Sequence, residues 1–279
     1  MVPRSLFTGL VDDAALFPPG NAPMNLALAE HAAHRSVAHA DLVGPFLCPA
    51  SRIDEMCAAL SPDHTLRLAM VFDVSGEGAH HAWRSAVADG RVTLVAVEAA
   101  YARLGNDAAT VGANLARLPD VTGYLEVPRT GFDVPLDLVG HSGWRAAKYR
   151  TGGTTADAFP SELELAAFLV AATTRAISFK LTAGLHRAVR NTAEDTGIEA
   201  HGVLNVLVAT RVSQQGGDVV EVAATLAERR PEALVAFVQD WDGGTCHDVR
   251  SGFRSFGCCG VTDPIDDLTA LGILGGDPG

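Results

Sequence analysis

Short runs of aliphatic and β-branched residues recur along this chain, most of them followed by turn residues and then by apolar positions at helical spacing. The strand-like runs cover 5–11, 41–47, 66–72, 92–97, 123–127, 145–150, 177–182 and 253–257. Helical spacing marks 24–39, 53–60, 81–88, 106–118, 161–175 and 203–229, and Asp263-Pro264 opens a final helix over 265–274. Strand and helix thus alternate for most of the length.

Repeated βα units predict a parallel sheet covered by helices, and eight of them fit a closed (β/α)8 TIM barrel, read as a single domain over 1–279. The seventh connection, 182–253, is far longer than the others and predicts two or three helices of its own. An open doubly wound sheet is the alternative, but no G-x-G-x-x-G follows an early strand.

Composition narrows the function. With 48% hydrophobic and 19% charged residues the chain reads as a soluble globular protein, and its net charge of −12 argues against nucleic-acid or anionic-membrane binding. No signal-like or membrane-spanning run is present, so a cytoplasmic location is expected. Five irregularly spaced cysteines fit reduced thiols. Cys246-His247 with Cys258-Cys259 lacks the ligand gaps of a zinc site, and neither metal nor other cofactor is called for.

Charge also singles out two residues. Of 21 lysines and arginines only Lys148 and Lys180 are lysine, and arginine cannot replace lysine where a deprotonatable nitrogen is needed. Alternation along 177–182 turns Ile177, Phe179 and Leu181 toward the helices and Ser178, Lys180 and Thr182 into the barrel; the same rule turns Lys148 and Arg150 inward and Tyr149 outward. The two amines are then neighbours in one cavity at the C-terminal end, where barrel active sites lie. Desolvation and mutual repulsion are expected to favour a neutral, nucleophilic amine there. The competing reading is a structural lysine paired to an inward acid such as Glu126.

Three segments carry a family resemblance: Lys148-Tyr149-Arg150-Thr151-Gly152, then Lys180 through Gly184-Leu185-His186-Arg187, then Phe253-Arg254-Ser255-Phe256-Gly257-Cys258. Over these last three strands the chain resembles deoxyribose-phosphate aldolase and related Schiff-base aldolases. The resemblance implies that Lys148 forms the Schiff base and Lys180 depresses its pKa. The strand-4 acid of that family has Glu98 as its nearest counterpart, and Arg150 stands where the family has a small polar residue.

A neutral lysine attacking a carbonyl gives an iminium, an electron sink that eases carbon–carbon cleavage, condensation or dehydration beside it. Asp12, Asp13, Glu98, Glu126 and His186 are the candidate proton carriers. Gly152-Gly153, Gly184 and Gly257, with Arg150, Arg187 and Ser255, are the candidate contacts to a phosphate or carboxylate, although glycine also serves tight turns. The loop Asp12 to Gly20, with its Pro-Pro-Gly, could shape the mouth, whereas Gly140-His141-Ser142-Gly143 lacks the final glycine of a hydrolase elbow. The expected activity is an aldolase-like lyase or synthase acting on a small anionic carbonyl compound. The alternatives are a lyase, synthase or isomerase using the lysines without a covalent bond, and a noncatalytic anion-binding barrel. The composition is compatible with a homo-oligomer.

Overall fold

The computed structural model describes residues 2–194 and 196–274. Among them ten strands follow one another: β1 (Val11–Asp13), β2 (Val43–Pro49), β3 (Leu66–Phe72), β4 (Val92–Ala100), β5 (Thr122–Glu126), β6 (Ala146–Arg150), β7 (Phe179–Thr182), β8 (Asn191–Thr192), β9 (Glu199–Ala200) and β10 (Phe253–Cys258). Eight close into a parallel barrel in the order β1-β10-β7-β6-β5-β4-β3-β2, while β8 and β9 make a separate antiparallel hairpin. The expected (β/α)8 barrel is the fold observed. No helix among the described residues is long and apolar enough to cross a membrane.

Two layers of packing follow from alternation. Leu47, Ala69, Ala96, Tyr124 and Ala146 fill the barrel interior, and the much larger second core lies between strands and helices. Outside β6, β7 and β10 that second core is an aromatic row. Tyr149 stacks on Phe168 with centroids 4.4 Å apart, Phe168 meets Phe179 edge-on at 5.5 Å, and Phe179 stacks on Phe253 at 5.5 Å. Burying Tyr149 and Phe179 outward obliges their sequence neighbours Lys148 and Lys180 to point inward.

The structure departs from the sequence reading at three places. Residues 5–11 are not a strand: Arg4–Leu6 is a 3-10 turn, further turns follow through Leu10, and β1 begins only at Val11. Leu6, Phe7 and Leu10 are fully buried, so their apolar run reports burial and not extension. The long connection holds four helices, Val203–Gln214, Val219–Leu226, Pro231–Gln239 and Gly243–Gly252, in place of two or three. A single helix over 203–229 is prevented by Gly216, which takes φ +92°, and by Asp218, which starts the next helix as a capping box with Glu221. A helix also covers Asp133–His141, and Ser142 stands at its C-terminal end, where its hydroxyl donates to the Leu138 carbonyl.

Candidate active site

Register decides which charges meet. Lys148 lies directly opposite Lys180 across β6 and β7, Glu126 lies opposite Lys148, and Ser255 lies opposite Lys180. The result is a row of alternating charge, buried except at the Arg150 end. Arg150 Nε is 3.3 Å from Glu126 Oε1, and Glu126 Oε2 is 3.1 Å from Lys148 Nζ. Lys148 Nζ is 2.7 Å from Glu98 Oε2, while the other Glu98 oxygen accepts from Lys180 Nζ at 2.5 Å. Lys180 also donates to Asp12 Oδ2 at 2.5 Å, and Ser255 Oγ donates to that same oxygen at 2.8 Å.

Glu98 is 0% exposed, Lys180 1%, Asp12 2% and Lys148 4%. At β2, Gly44 makes room for this end of the row, since a Cβ there would fall 2.1 Å from Asp12 Oδ1. Tyr124, on the same face of β5 as Glu126, places its ring 5.2 Å beneath Lys180 Nζ. The shared parity of positions 124 and 126 was the available sequence signal for this residue, and it was missed.

The electrostatics correct the expected neutral amine. Burial lowers the affinity of Lys148 for its proton, but the charges of Glu126 and Glu98 outweigh both burial and the repulsion from Lys180, so its pKa lies above the ordinary value. Lys180 is likewise raised, because Asp12 and Glu98 overcome burial. Burial acts to raise Glu98, yet Lys148 and then Lys180 pull it down to about 2. Glu126 is lowered in the same way by Lys148 and Arg150 against its burial, whereas at Asp12 burial wins over Lys180 and Ser255 and the pKa is raised. Without substrate both amines are therefore ammonium ions, each with two carboxylates.

The remaining sequence candidates divide. Asp13 faces the helices: its Oδ2 is 2.9 Å from His31 Nδ1 and its Oδ1 accepts from the Ala15 N–H, so only one acid of the Asp12-Asp13 pair reaches the lysines. His186 meets Cys258, Cys259 and Asp263. Arg187 is 60% exposed and pairs with Asp267 on the helix Thr262–Ala270. Gly152 and Gly184 pack backbone to backbone; a Cβ on Gly152 would come 2.6 Å from Gly184 Cα, and Thr151 Oγ1 donates to the Ala183 carbonyl beside them. Close approach accounts for those two glycines, and Gly153 sits equally tightly against Ala158. Gly257 has ordinary clearances.

Two cavities flank the row. One of about 310 Å³ is lined by Glu126, Val127, Pro128, Arg129, Arg150 and Ala158, at the C-terminal ends of β5 and β6. The other, of about 250 Å³, reaches Lys180, Asp12 and Tyr124 from the opposite end, past Arg67, Thr122 and Arg254 near their strand starts. Lys148 adjoins the upper cavity through Glu126, and Lys180 lines the lower one.

No family model, curated protein or solved structure matches the chain. Among the described residues no group of three or more His, Cys, Asp or Glu side chains is placed to hold a metal ion. What the arrangement offers chemically is two amines with a proton acceptor on either side of each.

Proposed function

We propose that this barrel is an aldolase-like lyase or synthase in which Lys148 forms an iminium with a small anionic carbonyl compound. The observation that carries the reading is Glu98 bridging two strand-paired lysines, with one oxygen on each amine. Lys180, held by Asp12 and Glu98, is the fixed cation of the pair; Lys148 is the amine adjoining Glu126 and, through it, the upper cavity.

A raised pKa sets the order of events. The Lys148 ammonium must lose a proton before it attacks, and Glu126 at 3.1 Å and Glu98 at 2.7 Å are the acceptors in reach. An anionic group of the substrate on Arg150 would compete with Glu126 for that guanidinium, releasing the carboxylate for proton transfer. Lys148 then adds to the carbonyl carbon, the carbinolamine oxygen leaves as water, and the iminium draws electrons from the adjacent carbon–carbon or carbon–hydrogen bond. Lys180 remains charged, and its repulsion favours loss of the Lys148 proton.

The same raised pKa favours a second reading, in which both ammonium ions polarise an enolate or carboxylate without a covalent bond. Borohydride separates the two. Reduction in the presence of a panel of short phosphorylated or carboxylated aldehydes and ketones should inactivate the protein and leave a reduced adduct on Lys148, absent from Lys148→Arg. Turnover of any panel member with Lys148 unmodified would sink the iminium and leave the electrostatic reading. Saturable binding of panel members with no turnover would instead mark a noncatalytic anion-binding barrel.

A further inference from the structure

His186 does not serve the lysine row, and its surroundings form a second chemical centre. Its Nδ1 lies 2.9 Å from Asp263 Oδ2, and its Nε2 faces Cys259 Sγ at 3.6 Å. Gly260 makes this possible, because a Cβ there would stand 2.3 Å from the same Asp263 oxygen. Thiol, imidazole and carboxylate are therefore in series, with the carboxylate orienting the ring and the far nitrogen presented to sulfur. Cys258 is a different kind of thiol: it is 1% exposed and donates to the Gly260 carbonyl at 3.1 Å.

The environments sort the two sulfurs. Burial pushes the Cys258 thiol up. Burial acts on Cys259 in the same sense, but the hydrogen bond and charge of His186, with the Gly20 N–H of the Pro-Pro-Gly loop, outweigh it and lower its pKa. His186 is in turn raised to about 11 by Cys258, Cys259 and, against its burial, Asp263. Elsewhere, Cys48 and Cys246 are buried, and Cys57, the other partly exposed thiol, is raised by burial and by Asp89.

The geometry points to Cys259 as a nucleophilic thiolate that reacts with hydroperoxides, with His186 as proton donor and Asp263 as positioning residue. The sulfur attacks the terminal peroxide oxygen; the S–O bond forms as the O–O bond breaks. Sulfur is oxidised by two electrons to a sulfenic acid, and the departing alkoxide takes the proton from His186 Nε2 and leaves as an alcohol, or as water from hydrogen peroxide. A single-electron or metal step is not required.

Hydrogen peroxide with dimedone, followed by peptide mass mapping of the full chain, tests this. Cys259 should carry the sulfenic-acid adduct at a rate roughly tenfold above Cys57. His186→Asn or Asp263→Asn should slow it about tenfold, and Cys258→Ser should leave it within about twofold. Equal labelling of Cys57, absence of an adduct on Cys259, or its loss in Cys258→Ser would overturn the assignment, as would an unchanged rate in His186→Asn. If the histidine variant does not fold, the comparison of Cys259 with Cys57 in the unaltered protein decides.

Discussion

Glu98 couples the two lysines, because among the described residues no other carboxylate pairs with both amines. Its removal should change one amine more than the other. Lys180 keeps Asp12, but Lys148 in Glu98→Gln retains only Glu126 against its burial and the repulsion from Lys180. Its pKa should then fall from above the ordinary lysine value to below about 10.4. With only two lysines in the chain, reductive ¹³C-methylation followed by an NMR titration reads each amine separately. A Lys148 signal that still titrates above the ordinary value in the variant would assign the effect to Glu126 alone. The charge bridge was only partly visible in the sequence. Alternation turned Lys148, Lys180 and Glu126 inward, but an acid's reach across a barrel depends on strand register, which no local pattern encodes. Asp12 and Asp13 show the limit most plainly: one must face each way, and a strand of three residues is too short to say which.

At the scale of elements, β6 and β7 were legible because each alternates an aromatic residue facing out with a lysine facing in, and the observed strands keep that phase. β1 was not legible, since Leu6, Phe7 and Leu10 satisfy a strand's composition while serving as a buried turn. The loops after β6 and β7 raise a question that sequence left open, namely whether their glycines bind an anion or permit close packing. Gly184 takes φ +79°, and a Cβ there would lie 2.6 Å from the Thr151 carbonyl oxygen. Gly184→Ala should therefore lose about 2 to 3 kcal/mol of stability. Gly257, whose added Cβ would meet nothing nearer than 3.5 Å, should tolerate alanine within about 1 kcal/mol. Urea denaturation of the two variants gives the comparison. Equal stabilities would mean that packing is not what Gly184 provides, and would return it to the candidate anion contacts.

For the whole molecule, a buried row of three acids and two lysines makes stability depend on pH in a definite direction. Glu98 is depressed from its ordinary 4.5 to about 2, so its contribution is present above pH 4.5 and is lost as pH falls through about 2. Such a depression corresponds to about 3 kcal/mol. Glu126, also lowered, acts in the same sense, while Asp12, raised by burial, offsets part of both. On the alkaline side Lys148 and Lys180 are raised, so their contribution is complete below the ordinary lysine value of about 10.4 and disappears as pH climbs through their folded values. Tyr124, pushed up to about 12 by burial, favours the unfolded chain over the same alkaline range. The urea midpoint should therefore show a broad plateau with an acid limb beginning near pH 4.5. Glu98→Gln has no carboxylate to protonate at that position, so its acid limb should be visibly shallower even though its plateau lies lower. Parallel acid limbs in the two proteins would place the acid sensitivity outside the lysine row, and with it would remove the charge balance that keeps Lys148 protonated before substrate arrives.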